Sequence, residues 1–544
     1  MNSKFIHSSL APWYLKASVD KYCKDGECEV YETTINENKD KIVGELLKME
    51  ADLIAFSVYI WNVSLVVEIS REIRSKKNVK IAFGGPEVSY NAKSILEKYD
   101  FVDYVISGEG EVPFAMLCDG EDAQKIPGLC YRKGKEIEIK TPHISFEDPP
   151  CPYTLEYLER LNGRISYIET SRGCPYRCAF CLSGRCGGVR FFDIEESKKN
   201  ILLLANSGTK TVKFIDRTFN ADKKRANELF EFIIEKSKSE IPNDVCFHFE
   251  IEGDILDDGI INTLSKAREG LLQMEVGLQS FNELTLREIN RKTNTSRLKN
   301  NIKRLLELGN IHIHLDLISG LPYENLESFS NSFNKAVELD AHVVQLGFLK
   351  LLHGSDLREN SNKYGLEFDE FPPYEIKITP WMSKSDFEKL HIVEDLFDRL
   401  YNSGRFSRTV RYIHDRVENK FDFYLKCGIY VKNNEKTRTL DEFSKLVYDY
   451  VLENVKVDSF EFRDNMAQDR LATNRMGVLP EFLKVKSPKI KEILNLLDKD
   501  EKTKRKKGIK RAATVLKSEN AFVYVDYDIK NLVTEEYKLI KLKI

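Results

Sequence analysis

The chain has 544 residues, 42% of them hydrophobic, 11% aromatic and 31% charged, with a formal net charge of −3. That length exceeds one ordinary core and calls for roughly three or four domains. The near-neutral balance is no signature of nucleic-acid binding, and no apolar run is long enough to cross a bilayer. With no basic-then-apolar leader at the first residues, the expected location is the cytoplasm.

Up to about residue 135, short β-rich runs alternate with helical stretches. Cys28–Ile35 reads as a strand, Ala51–Ile60 as a buried strand and Val63–Ser75 as an amphipathic helix. Val79–Phe83 is a further strand ending in Gly84 and Gly85, and Tyr104–Ile106 another ending in Ser107 and Gly108. This predicts an α/β, flavodoxin- or Rossmann-like parallel sheet with ligand groups at its strand C-termini. Pro142, Pro149, Pro150 and Pro152 then mark a linker, placed at 136–159.

Between 160 and 385 the strand–helix unit recurs. Its strands are expected at Arg164–Thr170, Thr211–Ile215, Val245–Ile251, Leu271–Leu278, His312–Ile318 and His342–Leu349, with helices such as Lys223–Lys236 and Thr295–Leu308 between them. Six units are too few for a closed eight-fold barrel and predict a partial (β/α)6 barrel of TIM type, with chemistry at the C-terminal strand ends. The remainder, 386–544, mixes helical stretches (Ser385–Asn402, Lys445–Val455) with a β-like run at Ala521–Val525 and predicts a mixed α+β domain. The basic run Lys502–Arg511 reads as a solvated linker in preference to an RNA contact.

Of eleven cysteines, four fall between Cys174 and Cys186. The others are scattered and read as small buried hydrophobes or bystanders. Cys174-Pro-Tyr-Arg-Cys178-Ala-Phe-Cys181 gives C-x-x-x-C-x-x-C directly after a predicted strand. Three thiolates in one loop can ligate three irons of a cubane and leave the fourth open to an exchangeable ligand. Gly173 and Pro175 suit a chain curling tightly round an inorganic core. On spacing alone, adding Cys186 would instead close a zinc or ferredoxin-like site.

With Phe180 between the second and third cysteines, CPYRCAFC resembles the cluster motif of the radical S-adenosylmethionine superfamily. The resemblance implies a 4Fe–4S cluster on Cys174, Cys178 and Cys181, S-adenosylmethionine on the open iron, and its reductive cleavage to a 5′-deoxyadenosyl radical. Later strand ends continue it: Phe214-Ile-Asp216-Arg217-Thr218, Glu275-Val-Gly277-Leu-Gln279-Ser280, Asp316-Leu-Ile-Ser-Gly320-Leu321-Pro322 and Leu351-Leu-His353-Gly354-Ser355. By residue type, Gly277 and Gly320 permit close backbone approach, Gln279 and Ser280 offer donors, and Asp216 and Glu250 are candidate hydroxyl acceptors. Phe180, Thr218, Leu321 and Pro322 join them as cofactor-binding candidates; for Glu250 an ion pair with Arg or Lys inside the barrel is the alternative.

Asn2-Ser-Lys-Phe-Ile-His7-Ser8-Ser9, Phe83-Gly84-Gly85-Pro86-Glu87 and Val105-Ile-Ser-Gly108-Glu109-Gly110-Glu111 resemble a cobalamin-binding domain. With the core and tail they resemble the cobalamin-binding radical family that carries a DUF4080 domain. Ser8, Gly84, Gly85, Glu87, Gly108 and Glu109 are the cobalamin contacts this implies. Two departures stand out. No D-x-H-x-x-G occurs, so cobalamin is expected base-off with no histidine ligand; and Met1 directly precedes the Asn-Ser segment where relatives place an apolar first strand, so that strand is expected to be missing or the recorded start to lie downstream of the true one. The resemblance implies methyl transfer to an unactivated carbon or phosphorus of a small-molecule or peptide substrate, with flavodoxin or ferredoxin as electron donor. The alternatives are a rearrangement, oxidation or cyclisation without methyl transfer, and a non-catalytic sensor; a methylthiotransferase would need an N-terminal three-cysteine set that is not seen.

Overall fold

The computed structural model describes residues 1–145, 147–474, 478–499 and 512–543, apart from the side chains of Cys186, Asp498 and Lys499. The basic run Lys502–Arg511 lies outside the described residues, as does the side chain on which the closed four-cysteine alternative rests.

The first sheet has five strands in the order Leu53–Ser57, Lys80–Gly84, Tyr104–Ile106, Leu129–Lys133 and Glu136–Glu138. The first three are parallel and the last two antiparallel. Helix Val63–Lys76 returns the chain between the first two, burying Val66, Val67, Ile69 and Ile73 on one face. The antiparallel hairpin carries the sheet to Glu138, past the linker boundary expected at 135, and turns at Gly134, whose φ is +65°.

Cys28–Ile35 is not a strand. Among the described residues, Leu53–Ser57 pairs only with Lys80–Gly84 and stays the edge of the sheet, so the 28–35 segment does not add a strand to it. Its β-bridge is Asn2 to Thr34, and side chains such as Lys16 on the Cys28 carbonyl and Arg160 on the Val30 carbonyl hold the rest. Extended backbone becomes a strand only when a neighbour takes its hydrogen bonds.

The second sheet is the partial barrel. Its six strands lie in chain order and all run parallel: Ile165–Ile168, Thr211–Phe214, Cys246–Ile251, Leu272–Gln279, Ile311–Ser319 and Val343–Phe348. Helices Lys223–Lys236 and Thr295–Leu308 have the expected bounds. Alternation along each strand sorts its side chains. In Ile311–Ser319, Ile311, Ile313, Leu315 and Leu317 are fully buried beneath the helices, and His312, His314 and Asp316 alternate with them. His312 stacks on His342 with ring centroids 4.8 Å apart.

The C-terminal region combines helices, among them Lys384–Phe397, Ser407–His414 and Lys420–Asn434, with an antiparallel sheet of Ala513–Leu516, Ala521–Lys530 and Tyr537–Lys543. It shares a core with the barrel. Phe333, on helix Leu326–Val337, meets Phe397, Phe421 and Tyr424 edge-on at 4.8, 5.6 and 5.9 Å. Buried Arg463 joins helix to sheet through Asp464, the Val515 carbonyl and the Thr514 hydroxyl. Among the described residues no helix is long and apolar enough to cross a membrane.

His414 lies in this core, 3.0 Å from the Tyr424 hydroxyl, and burial pulls it from 6.5 down to about 3. The folded chain therefore refuses a proton that the unfolded chain accepts below 6.5, and stability drains away as pH falls from there toward 3. His414→Gln should show a shallower loss of thermal midpoint than the parent between pH 6.5 and 4.5, read by scanning fluorimetry.

Candidate active site

After the first barrel strand the chain builds a short ribbon, Ser171–Gly173 antiparallel to Val189–Phe191, and the three cysteines sit in the loop between its legs. Gly173 has φ +90°, and a Cβ there would lie 1.9 Å from the Gly188 carbonyl oxygen. A Cβ on Gly184 would lie 2.2 Å from the Tyr176 oxygen. The loop thus closes on itself at two points that only glycine allows. Outside contacts hold it as well: Ala179 N–H donates to the Ile289 carbonyl at 2.9 Å, and Leu357 N–H to the Ala179 carbonyl at 2.9 Å.

Cys174, Cys178 and Cys181 line one open cavity at the C-terminal rim of the barrel. Each sulfur has a polar neighbour: the Thr218 hydroxyl 3.3 Å from Cys174, the Arg291 guanidinium 3.7 Å from Cys178, and the Ser183 N–H 3.4 Å from Cys181. Burial raises the Cys178 thiol, and the Arg291 guanidinium opposes that rise. A polar neighbour for each sulfur around one cavity fits three ligands of a cluster with an open iron. Among the described residues, no three His, Cys, Asp or Glu side chains converge on a single-ion site.

Strand ends supply the other wall. Phe180, Thr218, Glu250, Gly277 and Gln279 of the expected set line it, together with Arg217, Glu252, Glu275, Arg291 and Asp316. Register sets Glu250 beside Glu275 and Gly277 beside Asp316. A bulge between Gly277 and Gln279 leaves Gln279 at φ +67°, a strained backbone for a side chain, and a Cβ on Gly277 would lie 2.5 Å from the Gln279 amide. The buried Gln279 Oε1 and Glu252 Oε1 have no protein partner, so the wall offers unused acceptors to a polar ligand.

The wall's charges are unequal in character. Burial pushes the Glu252 carboxyl up to about 7, although Arg291 sits 2.6 Å away. Glu275 goes the other way: burial would raise it, but His248 at 2.9 Å, Lys213 at 3.2 Å and nearby His314 hold it at about 2. Burial also raises Glu250, with Arg217 opposing from 3.8 Å. Glu250 thus takes up both expected settings at once, lining the cavity and facing an arginine.

Other expected contacts lie elsewhere. Asp216 is buried beneath the loop, accepting the Thr170 N–H at 3.0 Å and the Thr170 and Ser171 hydroxyls at 2.7 and 2.6 Å. Ser280 bonds Glu324 at 2.5 Å inside the core. Gly320 lets the C-terminal region close in, since a Cβ would lie 2.7 Å from Ile376, and Leu321 and Pro322 are buried beside it. Ser8 belongs to the barrel edge, with its N–H and hydroxyl on the Ile165 carbonyl.

At the N-terminal sheet, Gly84 keeps an open face, its nearest Cβ contact being 3.9 Å away. Gly85 and Gly108 instead admit protein backbone: Cβ atoms there would lie 2.6 Å from the Val58 oxygen and 2.2 Å from the His143 oxygen. Glu87 accepts the Tyr374 hydroxyl, and Glu109 is taken by Arg172 and Arg190. At the same edge Tyr59 and Trp61 stack at 4.4 Å and 7°, and burial raises the Tyr59 phenol, with Arg217 and Glu169 of the barrel near enough to act on it. Through Glu109 on Arg172 and Asn91 on His353, this edge packs on the side of the barrel that carries the cysteine loop. An open glycine and an aromatic slab there fit a large flat cofactor.

Sequence reasoning missed Arg291 and Glu252. Arg291 lies in the polar run Asn290-Arg-Lys-Thr-Asn, which gives no sign of reaching Gly277, Glu252 and Cys178 at once.

Family models match three consecutive segments: B12 binding domain over 3–117, Radical SAM superfamily over 168–336, and protein of unknown function DUF4080 over 362–540. The chain thus carries a radical SAM domain with a B12-binding domain ahead of it. More particularly, a DUF4080 domain follows, and its match begins ahead of the boundary expected at 386.

The cobalamin-dependent radical SAM methyltransferase TokK of Streptomyces tokunonensis is 28% identical over 329 residues, 55% of this chain and 47% of that protein. The chain spans about half the length of the curated relatives it matches first. Among solved structures, the cobalamin-dependent radical enzyme OxsB with aqua-cobalamin and S-adenosylmethionine bound gives a TM-score of 0.58 at 14% identity, covering 91% of this chain and 78% of that one. TsrM from Kitasatospora setae, with cobalamin and a [4Fe-4S] cluster bound, gives 0.56 at 19%, covering 72% and 80%. These likenesses show the fold: a cobalamin-type domain packed before a partial radical SAM barrel.

Arg291 and Glu252 are 10% and 3% exposed, and removing one partner of so buried a pair costs about 3–5 kcal/mol. Arg291→Gln should lower the thermal midpoint of the metal-free protein clearly, and Arg291→Gln with Glu252→Gln should recover most of the loss, both read by scanning fluorimetry.

Proposed function

We propose that the chain is a cobalamin-dependent radical S-adenosylmethionine enzyme that transfers a methyl group to an unactivated carbon or phosphorus of a small-molecule or peptide substrate. One observation carries this reading. Three cysteines, each with a polar neighbour, share a cavity with polar strand ends, and the edge of a B12-binding domain packs on the same side of the barrel through Glu109 on Arg172 and Asn91 on His353.

Cys174, Cys178 and Cys181 would hold the 4Fe–4S cluster; S-adenosylmethionine would lie along Gly277, Gln279 and Glu250. When bound, these groups supply reductive cleavage to a deoxyadenosyl radical, and cobalamin supplies the methyl carrier. Arg291 places positive charge beside the Cys178 sulfur, which offsets negative charge gathered on the three thiolates. Phe180 and the buried strand interiors keep bulk water from the barrel side. Glu275, held ionised by His248 and Lys213, keeps a fixed acceptor at the cavity floor for a hydroxyl or ammonium group.

Cobalamin would lie against Gly84 and the Tyr59–Trp61 stack. It would have no histidine on cobalt, since D-x-H-x-x-G does not occur in the chain. A flavodoxin or ferredoxin in the cytoplasm would supply the electron, and the domains would divide near 135, 160 and 385.

The test is anaerobic reconstitution with iron, sulfide and hydroxocobalamin, then dithionite and S-adenosylmethionine. Deoxyadenosine should form, and Cys174→Ala, Cys178→Ala or Cys181→Ala should lower it by at least about a hundredfold. With substrate, deoxyadenosine and S-adenosylhomocysteine should appear in equal amounts. Product with deoxyadenosine alone would overturn methyl transfer, and no cleavage at all would overturn the enzyme reading.

A further inference from the structure

The segment Ser107-Gly108-Glu109-Gly110-Glu111 lies at the C-terminal end of the third strand of the N-terminal sheet, where a ligand contact was expected. Its carboxylates point elsewhere. Glu109 meets Arg172 at 2.9 Å and Arg190 at 2.9 Å, and Glu111 meets Arg172 at 2.5 Å. All four side chains are largely buried, between 11% and 20% exposed. Arg172 also pairs with Glu169 at 2.9 Å and lies over the Tyr14 and Phe192 rings.

Arg172 and Arg190 are not independent. They are register partners on the two legs of the ribbon that bounds the cysteine loop, with Gly173 opposite Val189 one step nearer the cysteines. Like charges directly opposite each other push strands apart. The ribbon has only three residues on each leg, so it has little ladder with which to resist. Glu111 and Glu169 offset the charge of Arg172 alone, whereas Glu109 reaches both guanidiniums and turns their repulsion into a bridge between the legs.

Glu109 is well fixed for this. Gly108, at φ +87°, brings its backbone against His143, and the Glu109 N–H donates to the His143 carbonyl at 2.8 Å. Gly108 therefore serves to aim Glu109.

We propose that Glu109 is a positioning residue for the cluster: docked from the B12-binding domain, it bridges Arg172 and Arg190 and holds the two legs of the cysteine loop together. The metal arm of its test rests on the reading that Cys174, Cys178 and Cys181 hold a cluster; the proteolytic arm does not. In this arrangement the loop closes fully only when the N-terminal domain is seated on the barrel.

Glu109→Gln keeps the side chain's shape and removes its charge. In the metal-free full chain, tryptic cleavage after Arg172 should become at least about tenfold faster, while cleavage at exposed sites of the C-terminal region stays at the parental rate. After anaerobic reconstitution the variant should retain under half of the parent's cluster iron, and the electron paramagnetic resonance signal of its reduced cluster should broaden and lose its shift on adding S-adenosylmethionine. Glu109→Gln with Arg190→Gln removes the repulsion along with the carboxylate, and should restore protection at Arg172 and most of the iron.

A variant with parental protection and spectrum would overturn the proposal. So would a double variant no better than the single one, including the case in which Glu109→Gln folds poorly. If the parent takes up no cluster, the cluster reading fails, and the proteolytic comparison still decides the role of Glu109.

Discussion

Six parallel strands ending on one rim is the constraint on which the rest of this structure depends. Because they all run the same way, every loop after a strand opens on the same side, and a cysteine loop, three carboxylate-bearing strands and a strained glutamine meet without any long excursion of chain. Outward positions are taken by Ile, Leu, Val and Phe under the helices, so polar side chains can stand only in the lumen. The N-terminal sheet repeats this logic with three parallel strands and packs its own C-terminal edge on the cysteine-loop side of the barrel.

Charges at the rim are arranged in pairs that differ in purpose. Glu275 is surrounded by donors and stays ionised, whereas Glu252 shares one arginine with a thiol and a carbonyl and is held near neutrality. Arg291 thereby connects the cysteine loop, the third strand and the fourth strand through one guanidinium, a task for a planar fork of donors that a lysine could not perform. Asp216 performs the mirror task with three donors from Thr170 and Ser171, fixing the point where the loop leaves its strand.

Much of this was legible in the sequence, for physical reasons that are easy to name. Period-two burial and glycine-marked strand ends locate the barrel strands to within a residue or two, because each strand is buried on its outer face. The cysteine spacing reports itself, since three ligands of one cluster must lie close in the chain. Legibility failed where partners come from far away. Nothing near Cys28–Ile35 says that its ladder is lacking. Ser280 and Gly320 carry family-like motifs, yet they face the core, because a strand end has two sides and a motif does not say which one a side chain takes. Glu87 and Glu109 have protein partners that their own segments do not announce, since Tyr374, Arg172 and Arg190 lie far along the chain.

The contact between Glu87 and Tyr374 has a wider consequence. Tyr374 lies within the segment that matches DUF4080, is braced by Arg358 over its ring at 4.6 Å, and reaches across to the sheet edge of the B12-binding domain. Beside it, Gly354 packs on Tyr90 and His353 meets Asn91. The third domain is thus a strut between the B12-binding domain and the radical SAM barrel. Exchanging it for the tail of a related protein would alter how the first domain seats on the barrel.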